Sequence, residues 1–403
     1  MAIIDGNGDD NYLIGTSGAD TISGYQGYDS LKGLEGNDVL YGGSGIDDLD
    51  GGPGDDMLYG GDSTDFYHVD SPGDQIFEEA DGGSDWVYPR FSVYLSTYLN
   101  IEALSLDGAG DLYGVGNDED NSINGNDGDN LLIAGGGADR VGGESGNDAI
   151  FGQAGDDYIL GGSGIDYVVG GIGIDTIDGG SGADELHGEQ GDDALVGGEG
   201  FFTDIMVGGD GNDWLDGQSG LGDYDLMYGN LGNDRYLVDT PADLVFEQAG
   251  EGVDTVFAAI EGAGYYLYEN IENLTLWDET PYGVGNALAN VLTGNYFDNW
   301  LLGGAGNDTL NGDYGNDVLF GESGADAFIF EIGTGSDIIG DFELGIDKIV
   351  LSDYADYDLD FAQIQGRMFQ DGNVGAIYLP QGDIVILHNV TMADLTAGDF
   401  VLA

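Results

Sequence analysis

Positive charge is almost missing from this chain. Lys and Arg number 6 against 78 Asp and Glu in 403 residues, a formal charge of −72. Such a chain repels itself without counter-ions and has no affinity for nucleic acid or an anionic membrane surface. Cysteine is absent, which excludes disulfides and thiolate chemistry, so stability outside a cell has to come from another cross-link such as a metal. Proline is scarce, 6 residues against 78 Gly, and that excludes a collagen-like repeat. No apolar run approaches the length of a membrane span. The opening MAIIDGNGDDNYLIG has no basic segment and no long apolar stretch, unlike a Sec-type signal. His68, His187 and His388 are far apart and no H-E-x-x-H is present, which leaves no zinc-protease motif. Neither a G-x-S-x-G elbow nor a G-x-x-x-x-G-K-S/T loop occurs, so hydrolase and phosphate-cradling readings lack support. Apolar residues still make up 41%, more than an acidic disordered tail carries. Acidic and apolar together point to folding conditional on cations.

What is present is a repeat. Ala134 to Val196 divides into seven nine-residue units without a slip: AGGGADRVG, GESGNDAIF, GQAGDDYIL, GGSGIDYVV, GGIGIDTID, GGSGADELH, GEQGDDALV. Position four is Gly, position six Asp and position eight Val, Ile or Leu. One apolar residue in nine cannot form a helix stripe. It suits a very short strand with one inward side chain. The glycines permit tight turns and leave carbonyls bare to approach a cation. Stacked Asp residues form carboxylate ladders, which repel unless a cation lies between them. Calcium, with six to eight mixed carbonyl and carboxylate oxygens, matches that chemistry.

These units resemble the G-G-x-G-x-D-x-U-x nonapeptide of the RTX, or haemolysin-type, calcium-binding proteins. The resemblance implies an all-β fold, a right-handed parallel β-roll with two units per turn and calcium between loops on the same edge. It implies metal ligation by position-six Asp side chains: Asp20, Asp29, Asp38, Asp47, Asp56, Asp65, then Asp139, Asp148, Asp157, Asp166, Asp175, Asp184, Asp193, Asp204, Asp213, Asp225, Asp234, then Asp308, Asp317, Asp326. Loop carbonyls from Gly162, Gly164, Gly171, Gly173, Gly180 and Gly182 complete it. Pairing each unit with the second one after it gives roughly 14 or more calcium ions.

The chain divides into a first repeat block at 1–68, a β-rich connecting segment at 69–115, a second block at 116–237, a second connecting segment at 238–284, a third block at 285–329, and a C-terminal part at 330–403. Ser63 replaces the position-four Gly in the last unit of the first block, which puts that loop in doubt. In the second block GGEGFFTDIMV and GQSGLGDYDLMY carry extra residues between 201 and 228 that would bulge out as loops. The connecting segments are duplicates: VDSPGDQIFEEADGGSDWV is answered by VDTPADLVFEQAGEGVDTV, and NIEALSL by NIENLTL. They read as continuations of the β-structure. Each block opens with Asn at position six, at Asn11, Asn121 and Asn290, and we expect Asn to spare an end turn an unpaired carboxylate. The C-terminal part resembles the cap of RTX proteases, and Asp399-Phe400-Val401-Leu402 resembles the acidic-then-apolar tail that a type I (ABC transporter) secretion machine reads in that family. One extra residue, Ala403, follows.

No catalytic constellation and no cofactor-binding set other than calcium emerges. Arg90, Arg140, Arg235 and Arg367 are scattered and form no cluster to neutralise a uronic acid. Outward aromatics at Tyr41, Tyr59, Phe151, Tyr158, Tyr167, Trp214, Trp300 and Phe320 either stack on each other across strands or meet a sugar or partner. The expected protein is secreted, extracellular or at the cell surface. It folds on extracellular calcium and serves a surface, matrix or biofilm role, with polysaccharide or self-assembly as its partner. The alternatives are a lyase- or epimerase-type enzyme on a β-solenoid and a metal buffer.

Overall fold

A computed structural model describes residues 1–79, 83–198, 200–218, 224–352, 354, 357 and 359–402. They form two compact units, Met1–Ile205 and Met206–Ala403.

In the first unit the nine-residue pattern becomes strands by simple alternation. Position eight points inward, and Ile22, Leu31, Leu40, Leu49, Leu58, Ile150, Ile159, Val168, Ile177, Leu186 and Leu195 are fully buried. Positions seven and nine face outward on either side. Position one, a Gly, faces inward again and is bare. Strands pair in parallel at an offset of 18 residues, as in Ala149↔Tyr167, Ile150↔Val168 and Phe151↔Val169, so two units make one turn. Very short strands such as Ser30–Lys32 occur as expected. Many others run six residues, such as Ala149–Ala154 and Tyr167–Ile172. There the pleat carries through position one into the glycine loop of the next unit.

The connecting segment at 69–115 continues this structure without interruption on one face only. That face runs without a break through Phe66–Val69, Trp86–Pro89, Ala103–Ser105 and Ser122–Asn124, each paired in parallel with the next. The other face ends its first sheet at Gln75–Phe77 and starts another at Val93–Tyr94.

The second unit repeats the arrangement. One face passes in parallel register through Arg235–Val238, Thr255–Ala258, Asn273–Leu276 and Val291–Thr293. On the other face one sheet ends at Leu244–Phe246, and the next opens at Tyr265–Tyr266. The C-terminal part closes this unit. Ile384–His388 pairs in parallel with Ser336–Ile339, and the antiparallel strands Val374–Tyr378 and Met368–Asp371 follow it. On the opposite face Phe400–Leu402 pairs in parallel with Lys348–Leu351. Among the described residues, the five-residue Phe361–Gln365 is the sole α-helix, and no helix is long and apolar enough to cross a membrane.

Candidate metal centre

Each repeat loop buries its position-six Asp, and one carboxylate oxygen has a fixed task. The backbone N–H of each Asp donates to Oδ1 of the Asp two units later: Asp29 to Asp47 at 2.8 Å, Asp47 to Asp65 at 2.7 Å, Asp148 to Asp166 at 2.8 Å, Asp157 to Asp175 at 2.9 Å. The other oxygen is different. Oδ2 of Asp29, Asp38, Asp47, Asp56, Asp65, Asp139, Asp148, Asp157, Asp166, Asp175, Asp184, Asp308 and Asp317 is buried with no hydrogen-bond partner. All but Asp139, which follows Ala134, face a cradle beside a glycine that a methyl group would fill. A Cβ on Gly24 would collide with Asp29 Oδ2 and press on the Gly42 carbonyl, and one on Gly152 would meet Asp157 Oδ2 and the Gly170 carbonyl. At Gly24, Gly33, Gly42, Gly143, Gly152 and Gly161 a bare anionic oxygen, a carbonyl and a missing side chain thus converge on one point.

The loop carbonyls stack as well. Gly164, Gly173 and Gly182 hold φ of 144°, 145° and 153°, a region that favours Gly. A side chain on Gly182 would strike the Gly164 carbonyl, just as one on Gly180 would strike that of Gly162. Position two is more tolerant: Gly162, Gly171 and Gly180 have positive φ, but so do Tyr25, Leu34, Glu144, Gln153 and Glu189.

Burial pushes these carboxyls up, and neighbouring like charges add to it. Asp47, Asp139 and Asp308 rise to about 6, Asp56, Asp148, Asp175 and Asp184 to about 7, and Asp65 and Asp317 to about 8. A buried anion that keeps its charge needs a partner. The donors around it are all hard oxygens, with neither thiolate nor imidazole, a set that fits calcium and not zinc. Asp20 is the exception. Its carboxylate accepts from the Ala2 and Thr16 backbones and the Thr16 hydroxyl, and these bonds hold its pKa below the ordinary value.

The remaining position-six residues join the same ladders. Asp193 accepts from Asp175, and Asp204 from Asp184 at 2.8 Å across the two-residue insertion. In the second unit Asp213 donates to Asp234 at 2.8 Å and Asp308 to Asp326 at 2.9 Å, while Asn299 donates to Asp317 at 2.8 Å. Ser63 takes the glycine conformation, φ 85°, and Asp65 keeps its place in the ladder. Of the insertion between 217 and 228, residues 219–223 lie outside the described residues, as does Ala403.

The structure adds residues that the nine-residue reading passed over. Asp56 donates to Asp74, Asp65 to Asp85, and Asp85 to Glu102. Asp225 donates to Asp243, Asp234 to Asp254, Asp254 to Glu272, Asp317 to Asp337, and Asp326 to Asp347. The ladders therefore run on into the connecting segments and the C-terminal part. A search for an acidic residue 17 to 21 places onward finds all of them.

Two of the opening Asn residues, Asn121 and Asn290, have a different reason from the one expected. Asn121 and Asn290 do not sit beside an empty edge. Asn290 Nδ2 donates to the Ile271 and Glu272 carbonyls at 3.0 and 3.1 Å, and Asn121 Nδ2 reaches the Glu102 carbonyl at 3.5 Å. Their Oδ1 atoms accept from the Asn286 and Asn117 backbones. The amide nitrogen sits on carbonyls, where a carboxylate would need a cation between. Outward aromatics stack mainly on each other: Tyr41 on Tyr59 at 4.8 Å and Tyr59 on Phe77 at 4.5 Å.

Comparison with known proteins agrees with this geometry. The model of the RTX calcium-binding nonapeptide repeat matches residues 5–40, 14–49, 41–71, 115–150, 143–168, 169–201, 202–236 and 293–328, together more than half of the chain. Two curated relatives are endo-1,3-1,4-beta-glycanases of Rhizobium meliloti (strain 1021). EglC is 38% identical over 178 residues and ExsH 37% identical over 177, in each case 44% of this chain and 35% of the relative. The chain thus spans about a third of the length of these relatives. Among solved structures, the extracellular lipase LipA from Serratia marcescens aligns with 80% of this chain and 45% of its own, at 17% identity and a TM-score of 0.21. With its repeats matched along both units and its Asp ladders in place, the chain belongs to the RTX calcium-binding nonapeptide-repeat family.

Proposed function

We propose that calcium is the folding switch of this protein, and that the protein works outside the cell as a structural or adhesive roll at a surface, matrix or biofilm. The observation that carries the reading is the row of buried Asp Oδ2 atoms without a partner. At cytosolic calcium such carboxylates repel and keep the chain open, a state suited to export by a type I machine with Asp399 to Leu402 as its signal. Extracellular calcium modules have dissociation constants of about 0.1 to 1 mM. In a millimolar medium each position contributes on the order of 1 kcal/mol, and many positions add.

Light scattering on a sizing column tests this, first in chelator and then in several millimolar calcium. The expected result is an expanded species that compacts on calcium, then grows into multimers if the role is assembly. No change of size would overturn the calcium switch. Compaction to a lasting monomer would overturn self-assembly.

A second reading, contact with polysaccharide, draws on the names of the two glycanase relatives and on one cleft of about 550 Å³. Tyr266, Pro281, Tyr282, Val284, Asp298, Trp300 and Leu302 line it. Retention of the calcium-loaded chain on a 1,3-1,4-linked β-glucan, lost in Trp300→Ala, would favour this reading.

A further inference from the structure

The duplicated connecting segments do more than carry strands past a gap in one face. Each returns a glutamate to the end of the repeat block before it. In the first unit one carboxylate oxygen each of Asp65, Glu78 and Asp85 lies within 4.8 Å of the others. In the second unit Asp234, Glu247 and Asp254 do the same. We propose that each junction is a cation site of its own, built from three carboxylates and a tyrosine hydroxyl, that takes a divalent ion of the calcium class more tightly than the repeat loops do.

Four observations support it, besides the acidity. Tyr67 and Tyr236 stand at the inward position that Leu49 and Leu58 fill in ordinary units, and both are fully buried. A buried phenol there costs more than Leu unless its hydroxyl is used, and each hydroxyl meets its glutamate, Glu78 or Glu247. Second, unsatisfied oxygens point into the site. Asp65 is fully buried and its Oδ2 lacks a partner, and Oε2 of the buried Glu247 lacks one too. A Cβ on Gly60 would collide at once with the Tyr67 hydroxyl, Asp65 Oδ2 and Glu78 Oε1, and one on Gly229 with their counterparts. Third, the glutamates are held from behind. Asn100 Nδ2 donates to the Glu78 carbonyl at 3.0 Å and Asn270 Nδ2 to that of Glu247 at 2.9 Å, both Asn residues having positive φ. Fourth, among the described residues no Lys, Arg or His forms an ion pair with Asp65, Glu78 or Asp85.

The arrangement occurs twice, at an offset of 169 residues for the Tyr, the two Asp and the Glu and 170 for the Asn, with every participating residue type kept. Oxygen donors select a hard cation. Affinity in such sites rises with the number of charged ligands, and a third carboxylate sets the junctions above the two that a repeat position offers. They fill first, at about tenfold lower free calcium.

This inference rests on the calcium reading above. Its test uses the full-length chain, with calcium alone as the probe. Bound calcium is counted by equilibrium dialysis with elemental analysis, over free calcium from micromolar to millimolar. The wild type is compared with Glu78→Gln, Glu247→Gln and the double variant. Terbium emission excited through tyrosine is read in parallel, since a phenol at the ion should sensitise it. We expect two tightly held ions in the wild type, one in each single variant and none in the double, with the weaker class and the calcium-induced compaction retained. Two tight ions in the double variant would overturn the proposal. So would a wild type that compacts on calcium with one weak class only, its glutamates then being neutralised by protons shared with the tyrosines. That last outcome leaves the folding switch standing, whereas a wild type that binds no calcium overturns both. If the double variant fails to fold, each single variant retains one intact junction and gives the count by itself.

Discussion

The regular run at 134–196 and the connecting segments at 69–115 and 238–284 hold the same ladder by different means. In the regular run every turn reuses one residue set: the position-four Gly, the position-six Asp and one inward aliphatic. In the connecting segments that set is kept for one unit without its position-four Gly, at Asp74 and Asp243, and is then gone. The acceptor of the Asp65 amide is Asp85, 20 residues on, and the acceptor of Asp85 is Glu102, 17 on. What persists is a buried carboxylate one turn further along the stack. The nonapeptide is thus one way of meeting that requirement, and the chain between two such carboxylates is free to carry something else. In the first connecting segment it carries Glu78 and Asn100, and in the second Glu247 and Asn270.

The comparison breaks most visibly under a change of pH without calcium. Burial raises the ladder carboxyls of the folded chain to about 6 to 8, above the ordinary value of 3.8 that applies unfolded. The folded state then binds more protons than the unfolded one, and its stability falls as pH rises through that window. In chelator, far-UV circular dichroism should report more β-structure at pH 5.5 than at 8.5. Excess calcium should cancel the difference, since a bound cation takes the proton's place. Equal β-content in chelator at both values would mean that repulsion along the ladders does not limit folding.

Smaller, and confined to the regular run, is the contrast between loop positions. Gly182→Ala puts a side chain at φ 153° against the Gly164 carbonyl. It should cost on the order of 2 kcal/mol and raise the calcium midpoint of folding. Glu189→Ala, at a position whose φ of 77° already carries a side chain, should cost less than about 0.5 kcal/mol. Equal midpoints for the two variants would show that the carbonyl columns do not bear on calcium.

The smallest effect sharpens the role of Asn at the block starts. Asn290→Asp replaces an amide donor on two carbonyls with an acceptor. We expect one additional ion at saturating calcium and a higher calcium requirement for folding. An unchanged ion count, from the same dialysis, would mean that the amide does not stand in for a cation.

How far the sequence carries can be read from particular residues. Position eight gave the core directly, because one inward aliphatic per unit admits no other periodicity, and Ile150 to Leu195 are buried accordingly. The Asp ladders were legible for the same reason. Strand length was not, because whether the pleat runs on through two glycines depends on pairing with the turns on either side. Asp85 and Asp254 stood outside the nine-residue register, 20 residues after the preceding ladder Asp, while Asp74 and Asp243 keep it, 18 residues on, in units whose position-four Gly is replaced by Pro72 and Pro241. Glu78 and Glu247 had no spacing signal at all. An excursion of the chain brings each back beneath a tyrosine, and sequence distance does not encode that return. Tyr67 and Tyr236 were the available hint, as aromatic residues in a column of aliphatics.

The bond from each Asp amide to a later carboxylate has a further consequence. All these bonds point the same way along the chain, so the stack has two unlike ends, as a polar crystal has two unlike faces. Any break leaves carboxylate oxygens without donors on the fragment that follows it, and peptide N–H groups without acceptors on the fragment before it. Two pieces of such a roll can therefore remake this bond when they meet head to tail, because donor and acceptor then face each other as they do between turns.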